Sequence, residues 1–272
     1  MSLQIIKWLD FIDSSISQES SQESQKCAIT IGVFDGVHLG HQALIECIVK
    51  RGPNPTVITF RDNPRKIFPD SYDGDLYSLK QKLAIFESLG VEQVVLIDFS
   101  SEFCKLKGEE FIEILQKTGK MGFLAIGSNF RCGFQQNTGA NLIKEMNINK
   151  GIPTELILPV LESMEMGSRP VSSSCIRSAI IKGDMKLAAM LLGRNFNLDL
   201  SDITPLYKKS GYGWRERKVF IYDLRQVNRI IPAKGQYNVM IYPDGIKSCL
   251  DTDDGMVFIP QKAMSLEFMN CQ

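Results

Sequence analysis

Short apolar runs rich in β-branched residues alternate with helix-like periodicity through the first two thirds of this 272-residue chain. The runs that predict strands cover residues 27–34, 56–60, 91–97, 123–127 and 155–158. The patterns that predict helices cover residues 42–51, 76–86 and 111–115, with two capped helices from Ser174 and from Asp184 to Gly193. Because strands alternating with helices form parallel sheets with right-handed crossovers, we expect an α/β fold, a Rossmann-like parallel sheet with flanking helices.

After Arg194 the pattern changes to short strands with little helical periodicity. These strands are expected at residues 219–222, 237–242, 246–250, 256–259 and 265–269. Turn residues separate some of them, at positions 243–245 and 253–255. We therefore predict two domains, the α/β domain over residues 1–194 and a small antiparallel, barrel-like β domain over residues 195–272.

Two segments near the amino terminus complete the predicted layout. Ile5, Trp8, Leu9 and Ile12 have the spacing of one face of a short helix. The segment from Ser14 to Gln25 consists almost entirely of Ser, Gln and Glu. It has too little apolar surface to order itself, so we expect a solvated loop there.

The composition indicates a soluble globular protein and excludes several kinds of partner. There are 31 basic and 31 acidic side chains, so the balanced charge favours neither nucleic acid nor an anionic membrane. No apolar run is long enough to span a bilayer, and the amino terminus lacks the pattern of a secretion signal. The seven cysteines are odd in number, widely spaced and without a C-x-x-C pair. We expect reduced thiols in the cytoplasm and no metal site among them.

The two histidines of the chain fall in one turn, from Asp35 to His41, which follows an apolar strand and opens a helix. Gly36 and Gly40 in that turn allow the backbone to approach a ligand closely. The helix directs its amide N–H groups and the positive end of its dipole to the same place, and His38 and His41 add donors on one side of its first turn. This arrangement is typical of a site for an anionic triphosphate, where fixed donors stabilise the charge that develops during nucleotidyl transfer.

Three simpler interpretations of this turn were weighed. The histidines could be ordinary surface or core residues, but their concentration at one junction argues against this. They could bind a metal ion, but Cys47 lies six residues beyond His41 and points away from that side of a continuing helix. A dinucleotide loop of the G-x-G-x-x-G type is absent.

Three further segments have the composition of ligand sites, although each also has an ordinary structural explanation. Residues 171–177, Val-Ser-Ser-Ser-Cys-Ile-Arg, place three hydroxyls at the start of a helix, where serines also serve as routine caps. Residues 126–133 follow a predicted strand, where ligands collect in open α/β sheets, but glycine turns also occur there. Residues 59–65 follow another strand, and a plain proline loop would account for them.

In their order along the chain, the four segments at residues 35–41, 59–65, 126–133 and 171–177 resemble those of the bacterial FAD synthetase family. The extended turn I-G-V-F-D-G-V-H-L-G-H-Q is similar to that of its FMN adenylyltransferase module, and S-S-S-C-I-R is similar to the second signature of the nucleotidylyltransferase superfamily. The resemblance covers roughly residues 27–194, including the closing G-D-M-K-L-A-A-M-L-L-G-R. It implies that the phosphate of FMN attacks the α-phosphate of ATP in the presence of Mg²⁺, giving FAD and pyrophosphate.

The resemblance also implies roles for individual residues. The residues implied to act on the phosphates are His38, His41, Asn129, Ser173, Ser174 and Arg177. Those implied to shape the adenine-nucleotide turn are Gly32, Phe34, Asp35, Gly36 and Gly40. Those implied to lie in the flavin-side and neighbouring binding segments are Phe60, Asn63, Pro64, Arg65, Gly127, Phe130 and Arg131, with Arg131 a candidate for the phosphate of FMN.

The chain departs from the family pattern in three places. Arg61-Asp62-Asn63 replaces Glu-Pro-His, and Cys132-Gly133 replaces Phe-Gly, so both departures fall mainly on the flavin side. Bifunctional members carry a riboflavin kinase barrel with a G-F-P-T-A-N signature, whereas residues 195–213 here contain Thr204-Pro205 without T-A-N. Residues 231–237 are similar to a strand entry of that barrel.

The β domain therefore resembles a truncated riboflavin kinase barrel. We expect an adenylyltransferase that does not phosphorylate riboflavin, with ATP, FMN, FAD and pyrophosphate as its small-molecule partners. Three alternatives stay open at this point: a bifunctional kinase and adenylyltransferase, a nucleotidyltransferase for another phosphorylated substrate, and a non-catalytic flavin- or nucleotide-binding protein.

Overall fold

The computed structural model describes residues 2–13, 26–67, 72–100, 102–118, 120–164, 167–210 and 217–269. The chain divides into two compact units. The first comprises Met1–Ile67 with Lys82–Pro170, and the second comprises Phe68–Gln81 with Val171–Gln272. The segment from Ser14 to Gln25, for which a solvated loop was predicted, lies outside the described residues.

The first unit contains a six-stranded parallel sheet. Its strands are β1 (Gln4–Lys7), β2 (Cys27–Ile31), β3 (Thr56–Phe60), β4 (Gln93–Ile97), β5 (Met121–Gly127) and β8 (Thr154–Ile157). Their order in the sheet is β1-β4-β3-β2-β5-β8, and every neighbouring pair is parallel. The four inner strands, β2 to β5, are largely apolar and buried because both faces of a parallel sheet are covered, whereas the outer strands β1 and β8 are less buried. The predicted Rossmann-like class is confirmed.

Helices accompany this sheet, at α1 (Trp8–Asp13), α2 (Leu39–Arg51), α3 (Leu79–Ser88), α4 (Gly108–Lys117) and α5 (Ala140–Ile148). The core beneath α1 and α4 is aromatic: Trp8 stacks on Phe111 with ring centroids 5.4 Å apart. The sequence analysis missed α5, whose N-cap Gly139 makes no side-chain capping bond and therefore leaves no start signal.

Two small hairpins also belong to the first unit. Strand β6 (Arg131–Cys132) pairs antiparallel with β7 (Thr138–Gly139), and β9 (Leu161–Met164) pairs antiparallel with β10 (Gly167–Pro170). Neither hairpin was predicted, because strands of two to four residues contain too few positions for an alternating pattern to show.

The prediction of one helix across Ile5, Trp8, Leu9 and Ile12 was wrong at its start. Ile5 lies in β1, opposite Val94 of β4, and the helix begins only at Trp8. Trp8 and Phe11 are the buried members of α1, whereas Leu9 is 65% exposed. The backbone pairing that β4 offers, with Gln4 N donating to Glu92 O at 2.9 Å, outweighs the local helical spacing.

The second unit contains a seven-stranded antiparallel sheet that curls into a half-barrel. Its strands are β11 (Asn197–Asp199), β12 (Leu206–Ser210), β13 (Arg217–Asp223), β14 (Gly235–Tyr242), β15 (Ile246–Asp253), β16 (Met256–Ile259) and β17 (Ser265–Phe268). Their order is β11-β17-β14-β15-β16-β13-β12. The predicted antiparallel β module is confirmed, although β11 and β12 were not among the expected strands.

Helices α6 (Ser173–Ile181) and α7 (Met185–Leu192) belong to this second unit. The sequence analysis grouped them with the α/β domain instead. The longer of the two segments of this unit begins at Val171, before the predicted domain boundary near Arg194. Contacts such as Ala233 N donating to Ile180 O at 3.2 Å join α6 to the β module. The division into domains 1–194 and 195–272 stays a prediction about function and ancestry. Among the described residues, no helix is long and apolar enough to cross a membrane.

Gly133 and Gly151 form a matched pair for testing how tightly the first unit is packed. Both have a positive φ, of 80° and 69°, and Gly133 combines it with a ψ of 179°, which is a region almost confined to glycine. A Cβ at Gly133 would overlap the backbone of Gly108, which begins α4, whereas a Cβ at Gly151 would meet nothing within 4 Å.

We expect Gly151→Ala to cost about 1 kcal/mol of unfolding free energy, the ordinary cost of a left-handed non-glycine residue. Gly133→Ala should cost about 3 kcal/mol or more, because the overlap is with backbone and α4 has to shift. Urea unfolding of the two variants and the parent measures the difference. Equal losses would show that the start of α4 is not held against Gly133.

Candidate active site

Three of the four segments singled out in the sequence meet at one edge of the parallel sheet. They follow β3, β2 and β5, which are adjacent strands with the same direction, so their carboxyl ends lie side by side. After β2 the chain forms β3 on one side of β2, and it later forms β5 on the other side. Such a switch point is where ligands bind in open α/β sheets.

The turn after β2 has an unusual backbone. Phe34, Gly36 and Val37 have φ values of 52°, 79° and 40°. A left-handed conformation costs a non-glycine residue roughly 1–2 kcal/mol, and a β-branched residue such as Val37 rarely adopts it at all. Both Phe34 and Val37 are fully buried, so packing offsets this strain. Strained backbone of this kind clusters at functional sites.

The two histidines occupy the first turn of α2 with their rings stacked. Their centroids are 3.6 Å apart and their planes differ by 18°. His38 is the N-cap residue, and its Nδ1 accepts the backbone N–H of His41 at 3.4 Å. In a neutral His38 ring the proton therefore sits on Nε2, which is the nitrogen able to donate to a ligand. The capping role of His38 was not foreseen, because histidine is not a usual N-cap residue.

Neighbouring side chains support this histidine pair. His41 meets the ring of Phe34 edge to face at 5.0 Å, and Phe34 meets Phe86 in the same way at 5.7 Å. The side-chain amide of Gln42 donates to the carbonyl of Val37 at 2.9 Å. Asp35 is buried in the same turn, Gly32 precedes it and Gly40 lies within α2. All the turn residues singled out in the sequence thus fall in one local structure.

Two donors beside the turn were not foreseen in their role: Lys82 was not singled out in the sequence, and Thr59 was part of segment 59–65 without an assigned contact. The carbonyl of Val33 accepts hydrogen bonds from Thr59 Oγ1 at 3.1 Å and from Lys82 Nζ at 3.3 Å. Lys82 is only 5% exposed. A signal for it does exist in the sequence: Lys82 lies on the apolar stripe of α3 with Leu79 and Phe86, where a charged side chain is unexpected.

The segment after β3 holds its residues in a tight local structure. Phe60 meets Phe99 and Phe103 edge to face, at 5.6 and 6.1 Å. Asn63 is buried, and its Oδ1 accepts the backbone N–H of Arg65 at 3.1 Å, inside a short 3-10 helix from Pro64 to Ile67.

The basic side chains of this segment face solvent. Arg65 is exposed, and Arg61 is bound to Asp98 at 2.7 Å. Asp62 also pairs with Lys66 at 2.8 Å, so the Arg61-Asp62-Asn63 departure produces two ion pairs and one buried turn residue.

The segment after β5 is a turn followed by the β6–β7 hairpin. Phe130 N donates to Gly127 O at 2.8 Å, which closes the turn and leaves Asn129 exposed. Arg131 is exposed, and its Nε donates to Gln136 O at 2.7 Å within the hairpin. Asn129 and Arg131 thus lie at the carboxyl end of β5, beside the strand that carries the histidine turn.

The fourth segment belongs to the second unit, at the start of α6. Its N-cap residue is Ser172, whose side chain accepts Cys175 N at 3.3 Å, so Ser173 and Ser174 lie in the first helical turn. Arg177 is 4% exposed, and its Nε donates to Gly74 O at 2.9 Å. The ordinary explanation of Arg177 as a solvated side chain is therefore excluded, and its guanidinium is held within this unit.

The family model for FAD synthetase matches residues 20–175, more than half of the chain. This chain belongs to the FAD synthetase family. The match begins before β2 and ends at Cys175 in α6, so it contains the first three segments and most of the fourth, and Arg177 lies two residues beyond it.

Curated relatives of this FAD synthetase family chain are named bifunctional riboflavin kinase/FMN adenylyltransferase. The protein of Escherichia coli K12 is 31% identical over 183 residues, covering 65% of this chain and 57% of its own length. That of Buchnera aphidicola from Acyrthosiphon pisum is 30% identical over 176 residues, covering 62% and 55%. That of Haemophilus influenzae is 28% identical over 223 residues, covering 80% and 70%. The chain thus spans little more than half the length of the first two relatives.

A solved structure of low sequence identity has a similar fold. A macrolide-efflux protein from Streptococcus pneumoniae matches with a TM-score of 0.73 and 20% identity, covering 98% of this chain and 89% of that protein. At this identity the likeness concerns the fold alone.

Neither a metal-ligand cluster nor a reactive thiol is found among the described residues near this site. In the part of the chain that the structure describes, no group of three or more His, Cys, Asp or Glu side chains could hold a metal ion. Burial, together with the nearby charge of Glu109, raises the pKa of the Cys132 thiol to about 11. Cys132 therefore behaves as a neutral, apolar side chain near neutral pH.

We expect Cys132 to resist alkylation near neutral pH. With a pKa of about 11, only about one thiol in a thousand is ionised at pH 8, and the rate should rise about tenfold per unit up to pH 10. Iodoacetamide labelling followed by peptide mass spectrometry measures this, with the exposed Cys249 as the faster internal reference. Labelling of Cys132 as fast as Cys249 at pH 8 would contradict its burial.

Proposed function

We propose that this protein is an FMN adenylyltransferase, which transfers AMP from ATP to FMN and produces FAD and pyrophosphate. The observation that carries the proposal is the stacked pair His38 and His41 at the start of α2. The pair follows β2, the central one of three strands whose carboxyl ends lead into candidate ligand segments. Membership of the FAD synthetase family supports the choice of FMN over another phosphorylated acceptor.

On the nucleotide side, the phosphates of ATP bind at the first turn of α2. Backbone N–H groups and the helix dipole attract the anion, and Gly36 and Gly40 leave the backbone open to it. His38 donates from Nε2, because its Nδ1 already accepts the N–H of His41. The stack holds the ring of His41 nearly parallel to that of His38, and His41 also donates to the phosphates. Gly32, Phe34 and Asp35 shape the wall of the turn.

The chemical step is an in-line displacement at the α-phosphate of ATP. A phosphate oxygen of FMN forms the new P–O bond, and the bond to the pyrophosphate oxygen breaks with its electron pair leaving on pyrophosphate. His38 and His41 stabilise the negative charge that grows there and remain unchanged at the end. Mg²⁺ enters with ATP as part of the substrate, held largely by the phosphates.

Two further groups are proposed to act on the phosphates. Asn129, exposed at the end of β5, lies near the reacting phosphates. Ser173, Ser174 and Arg177 of α6 meet the triphosphate as a second set of donors. A buried guanidinium that donates to a backbone carbonyl, as in Arg177, has a fixed orientation, which suits a preorganised donor.

The flavin side is proposed to consist of the segments after β3 and β5. Phe60 and Pro64 offer apolar surface to the isoalloxazine ring, Asn63 sets the turn, and Arg65 stays available at its exposed end. Gly127, Phe130 and Arg131 border the neighbouring strand end, with Arg131 placed for the phosphate of FMN.

We further propose that the β module lacks riboflavin kinase activity, because the G-F-P-T-A-N signature is absent from the sequence. The names of the curated relatives favour the second candidate, a bifunctional enzyme. The seven cysteines are odd in number, widely spaced and without a C-x-x-C pair, which favours a reducing, cytoplasmic location.

The two candidates predict different products from riboflavin. The purified protein is incubated with ATP and Mg²⁺, with FMN in one sample and riboflavin in another, and the flavins are separated by chromatography. We expect FAD from FMN and no product from riboflavin. FMN or FAD from riboflavin would establish the bifunctional enzyme, and no product in either sample would overturn adenylyl transfer to FMN.

The role of His38 as a donor is separable from its role as a helix cap. His38→Ala removes both, whereas His38→Asn retains a good N-cap residue. We expect both variants to lower kcat by about 10²–10³, the usual cost of losing one such donor. Only His38→Ala should also lose about 1 kcal/mol of stability. Parent-like turnover by His38→Asn would show that His38 serves only as a cap.

A further inference from the structure

The carbonyl of Val33 is held by two side chains that come from different elements. Thr59 Oγ1 donates to it from the end of β3 at 3.1 Å, and Lys82 Nζ donates from α3 at 3.3 Å. Val33 is the last residue before the left-handed turn, one position beyond Gly32, whose N–H makes a 3.1 Å bond to Ile58 O. The chain leaves the sheet at this point, and the side chains of Thr59 and Lys82 donate to the carbonyl of Val33 there.

Helix α3 supports the turn at a second point as well. Lys82 and Phe86 are four residues apart and therefore lie on one face of α3. Lys82 contacts Val33, and Phe86 meets Phe34 edge to face. Phe34 in turn meets His41, which stacks on His38. Contacts thus run from α3 through the turn to the histidine pair.

We propose that Thr59 and Lys82 are positioning residues, which hold the turn from Val33 to His41 in the conformation that presents both histidines to a ligand. For its kinetic consequence this inference rests on the proposed function. The turn needs external support because Phe34 and Val37 hold conformations that side chains rarely adopt. If the bonds to Val33 are lost, the turn can relax, and the histidine stack at its other end moves with it.

Lys82 is a charged donor in this arrangement. Its side chain is buried, and its ammonium group donates to the carbonyl of Val33. Because a hydrogen bond from a charged donor is stronger than one between neutral groups, Lys82 is a substantial part of the support of the turn.

The chain offers a matched control for Thr59. Thr30 in β2 is also fully buried, but its Oγ1 has no hydrogen-bond partner in the described part of the chain. Thr59→Val and Thr30→Val make the same chemical change at neighbouring strands. Only the first removes a bond to Val33. Thr59→Ser restores the hydroxyl, and Lys82→Met tests the second donor and its charge.

The chain contains two histidines, so the imidazole region of a proton–carbon correlation spectrum reports the stacked pair directly, without substrate. We expect Thr59→Val and Lys82→Met to shift or broaden both ring signals. Thr30→Val and Thr59→Ser should leave them as in the parent. In the FMN assay, Thr59→Val should lower kcat/KM for ATP by about tenfold to a hundredfold, as displaced catalytic groups do, with KM for FMN unchanged.

The outcomes separate the two proposals. If both ring signals of Thr59→Val overlay those of the parent, or if Thr30→Val moves them equally, the positioning role is overturned. If Lys82→Met fails to fold, the three threonine variants still decide. If the ring signals respond as expected and the parent protein makes no FAD, the support of the turn stands and the proposed function is overturned.

Discussion

The structure depends on the parallel pairing of β2 with strands on both of its sides. Because β3, β2 and β5 run in the same direction, three loops that are far apart in sequence come out at one edge of the sheet. The loop from the central strand carries both histidines, and the neighbouring loops carry the residues proposed to contact the flavin. An antiparallel partner on either side of β2 would place its loop at the opposite edge.

The central loop combines strain with support. Its backbone holds Phe34 and Val37 in left-handed conformations, and burial of both side chains offsets the cost. His38 adds a cap and a ring stack with His41, so both imidazoles are oriented before a ligand arrives. Preorganised donors of this kind need no rearrangement when charge develops during a reaction.

The second unit presents a different relation between sequence and structure. Its half-barrel is complete enough to bury Tyr222, whose hydroxyl donates to Ala263 O at 2.9 Å and accepts Ala263 N at 2.8 Å. The module is therefore a packed structure in its own right. Because function lies in particular sites on a fold, this packing by itself does not decide which activity the module has.

The sequence by itself determined the α/β class, the antiparallel module, and the four candidate segments. These follow from local patterns: apolar runs, helical spacing, and rare histidines at a strand–helix junction. It failed where partners are distant. Ile5 joined a strand because β4 offered an open edge, and α5 formed without a capping signal.

Only the tertiary structure decided which atoms the site residues use. The tautomer of His38 follows from a bond to His41, the orientation of Arg177 from a bond to Gly74, and the support of Val33 from Thr59 and Lys82. Lys82 and Val33 are 49 positions apart. Local sequence patterns report periodicity within one element, whereas these contacts arise only once separate elements have packed together.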